Sequence, residues 1–298
     1  MKLSNRTKKL ILLSLVVVTA FTLSGCSVPT DANNQIVQIY PETTFSEIMS
    51  SENWFSAIFV WPLSQLINWA TPKLGVAGGI AVVTILVNAV LAAVTLKSTI
   101  ATQQMQLLQP ELNKITKKYE GKTDDASRMK QANEMQALYK KYNVNPGGML
   151  LTTFIQFPVI IAMYQAVQRS SAVKSASFLG LSLETTPWNG MKEGQWLYLA
   201  IFIFMGVCQV MSMQLPQILA KKKAEKEAAL HHRKPEDTAN KQSKMMMMYM
   251  TAMILIFGLM WPTAMSIYWS IYSLVNIAKT LIVQKIIDDK KQKGEIAA

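Results

Sequence analysis

Apolar residues in this chain fall into long runs separated by polar ones. The runs are roughly Leu74–Leu96, Met149–Val167, Trp196–Leu215, Met245–Met260 and Thr263–Val283. Each is near the ~20 residues that carry a helix across a ~30 Å hydrocarbon core. The pattern therefore predicts an all-α membrane protein with five spans. Ahead of the first span, Trp54, Phe55, Ile58, Phe59, Trp61, Leu63, Leu66, Ile67 and Trp69 recur at helical spacing. This reads as a helix lying in the membrane interface; the alternative is a frayed start of the first span.

Between the first two spans the chain is polar but periodic. Leu108, Leu112, Ile115 and Tyr119 form one stripe, and Ala132, Met135, Leu138 and Tyr142 a second. Gly121–Asp125 interrupts them with turn and helix-start residues. The segment is thus expected to be an antiparallel helical hairpin, with Pro110 kinking its first helix or marking its entry. It is either a solvated structural arm or a docking arm for protein or lipid. A short Lys/Glu helix and a polar loop are expected between the third and fourth spans.

The N-terminus follows a different pattern. Lys2, Arg6, Lys8 and Lys9 precede a short apolar run ending in Leu23-Ser24-Gly25-Cys26. This has the form of a signal peptide with a bacterial lipoprotein cleavage box, and makes Cys26 the expected lipidation site. The other reading is a plain signal peptide with a chance cysteine. The expected divisions are then a signal peptide 1–25, an outer tether 26–53, an interfacial helix 54–72, and a first span 73–97. The hairpin 98–148, second span 149–168, outer loop 169–195 and third span 196–219 follow. A cytoplasmic loop 220–244, fourth span 245–262, fifth span 263–284 and basic tail 285–298 complete the chain.

Charge orients this layout. The chain carries +12 although only 16% of it is charged. With an outer N-terminus, 21 Lys and Arg fall on the inner connections and tail, against Lys73, Arg169, Lys174 and Lys192 outside. That is the positive-inside bias, and it places the C-terminus in the cytoplasm of a bacterial plasma membrane. Six of the seven tryptophans fall at outer positions, as an interfacial belt would; Trp269 sits deeper. The basic inner surface suits anionic lipid headgroups, and the composition argues against a DNA binder.

Recognisable catalytic chemistry is absent from the sequence. It has no phosphate-binding glycine loop, no HExxH and no nucleophile elbow. Adjacent His231 and His232 diverge on a helix, so no metal site or cofactor is expected, and no catalytic residue. The spans carry neutral polar groups instead. Thr84, Asn88 and Thr95 share a face of the first, and Thr152 and Gln156 stand one turn apart on the second. Gln209 and Ser212 lie on the third, and Ser266, Ser270 and Ser273 line the fifth, flanked by Asn276 and Thr280. Each could be an ordinary interhelical hydrogen bond. Together they suggest a shared hydrophilic groove, since buried polar groups need partners or water. A small channel or transporter, or a scaffold lipoprotein, remains an alternative.

Several segments together resemble the YidC/Oxa/Alb family of membrane protein insertases. They are Thr84–Val87, Leu108–Leu112, Tyr142–Pro146, Ile155–Pro158 and Trp261–Trp269, and the lipoprotein start resembles the Gram-positive form. The resemblance implies a groove open to cytoplasm and lipid and closed outside. It would receive hydrophilic parts of nascent membrane proteins, without nucleotide, alone or with the Sec translocon. The hairpin would be the contact for client, ribosome or translocon, and Trp269 would line the groove's outer end. The family pattern places an Arg where this chain has Asn88. Lys279 is a possible substitute, because Asn88 lies about 20 Å and Lys279 about 22 Å below the outer ends of their spans.

Overall fold

A computed structural model describes residues 28–142, 144, 146–230, 232 and 241–293. The expected signal peptide, the expected lipidation site Cys26, and His231 lie outside them. The chain is mostly helical. Its elements are α1 (Phe45–Ser51), a π-helical turn Ser56–Val60 running into α2 (Trp61–Leu107), α3 (Gln109–Lys118), α4 (Asp125–Lys141), α5 (Pro146–Arg169) and α6 (Ser171–Lys174). A two-residue hairpin, β1 (Ser177–Phe178) with β2 (Leu181–Ser182), precedes α7 (Pro187–Lys192), α8 (Trp196–Leu230), α9 (Lys241–Met260) and α10 (Thr263–Gln292). Among the described residues three helices are long and apolar enough to cross a membrane: Ser56–Leu107, Trp196–Leu230 and Thr263–Lys290. α5 and α9 run for 24 and 20 residues.

Two boundaries differ from the sequence expectation. α2 continues to Leu107, beyond the predicted end of the first span, because Thr95–Leu107 contains no helix breaker. α8 runs unbroken to Leu230, so the expected Lys/Glu helix is the end of α8 itself; Pro216 sits within it. Inside α2, Gly75 adopts φ 71° and ψ 168°, which separates a helix before it from a helix after it. This conformation suits glycine because it lacks Cβ.

The contacts divide the chain into two units. The first comprises residues up to Thr84, Phe154–Thr186 and Pro262–Tyr268. Its N-terminal segment is stitched down rather than loose. Ile39, fully buried, donates its N–H to the Arg169 carbonyl (2.6 Å) and accepts from the Ser171 N–H (3.2 Å). Asn68 donates to the Ile39 carbonyl (2.8 Å) and accepts from the Ser170 hydroxyl (2.6 Å) and the Ala172 N–H (3.1 Å). Trp61 Nε1 donates to the Thr43 carbonyl (2.8 Å). Thr44 and Glu47 cap α1 reciprocally. The expected outer tether is therefore a packed strap over residues 36–52. Its strongest tie is Arg169, which donates from Nε to the Val37 carbonyl (2.9 Å) and from both Nη atoms to Glu52. At the start of α10, the carbonyls of Thr185 and Leu183 accept from the N–H groups of Thr263 (3.0 Å) and Ala264 (3.1 Å). Those are two of the four donors a helix N-terminus leaves unpaired.

The second unit comprises Ile85–Thr153, Pro187–Trp261 and residues from Trp269 onward. In it α3 and α4 form the antiparallel hairpin. Lys118 and Tyr119, at the end of α3, both donate to Glu134 (2.6 and 2.8 Å); Tyr142, closing α4, donates to Glu111 at the start of α3 (2.7 Å). Pro110 sits in the first turn of α3, where a missing N–H costs nothing, so it marks the entry. Asp124 caps α4 by accepting from the Ser127 N–H (2.8 Å). One member of the expected stripe is corrected: Ala132 is exposed, while Met135, Leu138 and Tyr142 are half-buried as expected, and Glu134 joins them.

The hydrogen bonds from Lys118 and Tyr119 hold the Glu134 carboxyl below its ordinary pKa. A depressed carboxylate stabilises the folded state above its unfolded pKa, about 4.3, and that contribution is lost as pH falls. The protection of the Lys118 and Tyr119 amides against hydrogen exchange, taken relative to the intrinsic rate at each pH, is therefore expected to fall below that pH. In Glu134→Gln this fall should be absent.

α8 packs on α7 and α9 through small residues. Gly190 of α7 lies against the Tyr198 ring, Gly206 faces Leu255, and Gly258 faces Met205 and Phe202. Side chains added at these positions would meet those neighbours.

Candidate hydrophilic face

The long helices of the second unit bury polar groups and expose apolar ones. Beside buried apolar residues such as Met205 and Ile287, the buried positions include Asn88, Thr95 and Gln103 on α2, Gln209 and Ser212 on α8, and Ser270, Ser273, Thr280 and Gln284 on α10. Their exposed positions are apolar, with Val90 65% and Val94 70% exposed on α2, joined by Ile203, Phe204 and Val207 on α8 and Leu281 and Ile282 on α10. Water would penalise that distribution, whereas hydrocarbon favours it.

Two direct bonds tie these faces together. The Ser273 hydroxyl donates to Gln209 Oε1 (2.7 Å), joining α8 to α10. Gln103 Nε2 donates to the Thr280 carbonyl (3.3 Å), joining α2 to α10. Thr95 turns its hydroxyl to its own helix at the Leu91 carbonyl (2.6 Å). Trp269 is half-buried and meets Trp261 edge to face, with centroids 5.9 Å apart. Trp261 in turn stacks on Phe257. Trp269 Nε1 and Gln103 Oε1 are buried with no hydrogen-bond partner among the described residues. A polar atom withdrawn from water without a partner is costly, so both present bonding capacity to a visiting polar group.

The other expected groove residues, Thr84, Gln156 and Ser266, belong to the first unit. Thr84 and Ser266 are buried, and the Thr84 hydroxyl donates to the Ile80 carbonyl (2.7 Å). Gln156 is half-buried, and its Nε2 has no hydrogen-bond partner among the described residues.

Lys279 is half-buried and makes no ion pair among the described residues. Its level differs from the expectation. The Gln103–Thr280 bond sets it beside Gln103, which stands 15 residues after Asn88 in the same helix, or about 22 Å along the axis. The equal-depth match failed because it measured from span ends that the sequence could not align. Below Lys279, Gln284 and Lys223 both donate to Asp288. That acidic anchor links α8 to α10 and was not anticipated. Gln103 was also missed, having been assigned to the hairpin. Its signal was available in the repeat Thr84, Asn88, Thr95, Thr99, Gln103, which keeps one helical face past the predicted span end.

No group of three or more metal-ligating His, Cys, Asp or Glu side chains occurs among the described residues. Cys208 is a buried free thiol on α8.

A family model described as "60Kd inner membrane protein" matches residues 67–291. The chain is 31% identical over 281 residues to "Membrane protein insertase YidC 2" of Bacillus anthracis, covering 93% of this chain and 94% of that protein. It is 30% identical over 236 residues to "Membrane protein insertase MisCA" of Bacillus subtilis, covering 78% and 80%. It is 28% identical over 301 residues to "Membrane protein insertase YidC 1" of Listeria monocytogenes, covering 100% and 91%.

Proposed function

Since the chain belongs to the 60 kDa inner membrane protein family, the YidC/Oxa/Alb insertases, we propose that it works as a membrane protein insertase and chaperone. It is a bacterial membrane-integral protein of a family of insertases rather than of catalytic enzymes, and its clients are nascent membrane proteins. The observation that carries the reading is the buried polar, exposed apolar distribution on α2, α8 and α10.

In this proposal the chain crosses the membrane five times, with Cys26 lipidated outside and the tail in the cytoplasm. A client's hydrophilic stretch leaves water and enters the face bearing Asn88, Thr95, Gln209, Ser212, Ser270 and Ser273. Amide and hydroxyl groups there replace part of its lost hydration, which lowers the cost of carrying polar residues into hydrocarbon. The client's apolar segment moves along exposed side chains such as Val90, Val94 and Phe204 into lipid. Burial of that segment drives the overall step, so no nucleotide is needed. Trp269 offers its indole N–H toward the outer end. Lys279, level with Gln103, makes no ion pair among the described residues, unlike Lys223, which is held by Asp288, and it receives acidic client residues at the inner end, well below Asn88. The hairpin and the basic tail are the surfaces for ribosome, Sec translocon and anionic headgroups.

Photocrosslinkers at Asn88, Gln209 and Trp269 are expected to form adducts with a stalled nascent membrane protein. A lipid-facing control at Val94 should capture the client's apolar segment but not its polar tail. Absence of adducts at all three polar positions would overturn the groove. Lys279→Met should slow insertion of acidic-tailed clients selectively, and equal rates for acidic and neutral tails would remove Lys279 from the mechanism.

A further inference from the structure

Four cations occupy the segments assigned to the outer side, and two of them are engaged by carboxylates. Arg169 is buried against Glu52, and Lys174 lies 3.7 Å from Glu184. The other two, Lys73 and Lys192, make no ion pair among the described residues. Each lies instead over the ring of a tryptophan one turn earlier in its own helix. Lys73 Nζ stands 3.7 Å from the Trp69 centroid, and Lys192 Nζ 5.2 Å from that of Trp188. Both rings are at least half exposed, Trp69 at 58% and Trp188 at 50%. Lys192 adopts this position although Glu193 is the next residue.

The two pairs sit in different units on unrelated helices, so no shared packing need explains the repetition. A ring quadrupole holds an ammonium in place without neutralising it, and the ammonium keeps three N–H donors. Tryptophan prefers the level of the membrane headgroups. An unpaired outer lysine also works against the charge bias that orients the chain, so its presence calls for a compensating anion. We propose that Lys73 with Trp69, and Lys192 with Trp188, are two docking sites for anionic phospholipids of the outer leaflet. In each, the phosphate bonds the ammonium and the glycerol and upper acyl region lies against the indole.

The proposal rests on the outer placement of these segments, and its test separates the two. On intact cells a membrane-impermeant amine reagent should label Lys73 and Lys192, as mapped on peptides; labelling only after lysis would overturn the placement. The full-length protein in detergent is then titrated with phosphatidylglycerol, phosphatidylcholine or free glycerol phosphate and followed by native mass spectrometry. Phosphatidylglycerol should be retained and phosphatidylcholine not, with each of Lys73→Gln and Lys192→Gln weakening one site about fivefold. Lys→Arg at either position should preserve binding. Unchanged phosphatidylglycerol adducts in the double variant, equal retention of phosphatidylcholine, or displacement by free glycerol phosphate would each overturn the proposal, even if labelling succeeds.

Discussion

Glu52→Ala is expected to destabilise the protein by about 3–5 kcal/mol, the usual loss when one member of a buried ion pair is removed. The Arg169 side chain is fully buried and that of Glu52 is 8% exposed, so the guanidinium would keep the Val37 carbonyl as an acceptor but no counter-charge. Glu52→Gln should fall between wild type and Glu52→Ala, because an amide retains one acceptor without the charge. Replacing both partners, as Glu52→Leu with Arg169→Met, should recover most of the loss, since burying an apolar pair avoids desolvating two charges. Unfolding in micelles, followed by tryptophan fluorescence, measures the size of the effect. Hydrogen exchange at the Ile39 and Ser171 amides shows whether the strap is what loosens. An unchanged transition in Glu52→Ala would mean that the pair does not fasten residues 36–52.

The second large effect concerns transport. Asn88→Leu combined with Gln209→Leu is expected to cut insertion of clients with polar tails by more than about tenfold. Each lost amide removes a partner whose absence costs a buried polar group about 1–3 kcal/mol. Clients with short, apolar tails should be much less affected, because they ask little of the groove. Ser273→Ala alone should be mild, as it removes only a donor to Gln209. Melting temperature and membrane yield of the variant separate misfolding from lost function. Full insertion by a stable double variant would favour a scaffold. Solute flux through the wild-type protein without a client would favour a channel.

Periodicity made the helices legible because burial on one face is a local property of the sequence. The polar stripe Ser266, Ser270, Ser273 reads directly from i, i+4, i+7 spacing, and all three residues are buried. The hairpin turn was equally visible, since Gly121 and Asp124 are chosen by backbone geometry and helix capping. Helix ends were less so. α2 and α8 outrun their apolar stretches because a polar helix can continue in water once nucleated, and hydropathy records only solvent preference. Ala132 was misplaced because the inward face of α4 is shared between the apolar Met135, Leu138 and Tyr142 and the polar Glu134, which bonds Lys118 and Tyr119.

Composition and spacing by themselves determined a mostly helical membrane protein, its apolar segments, its charge asymmetry and the neutral polar residues on its spans. Those follow from transfer of side chains between water and hydrocarbon, which depends on residue type and near neighbours alone. The tertiary structure alone decided that Glu52 pairs with Arg169, 117 positions away, that Ser273 meets Gln209, and that Lys279 stands beside Gln103 instead of Asn88. Such pairings depend on the relative height of helices distant in sequence. Packing and hydrogen bonding set that height, and no local pattern encodes it.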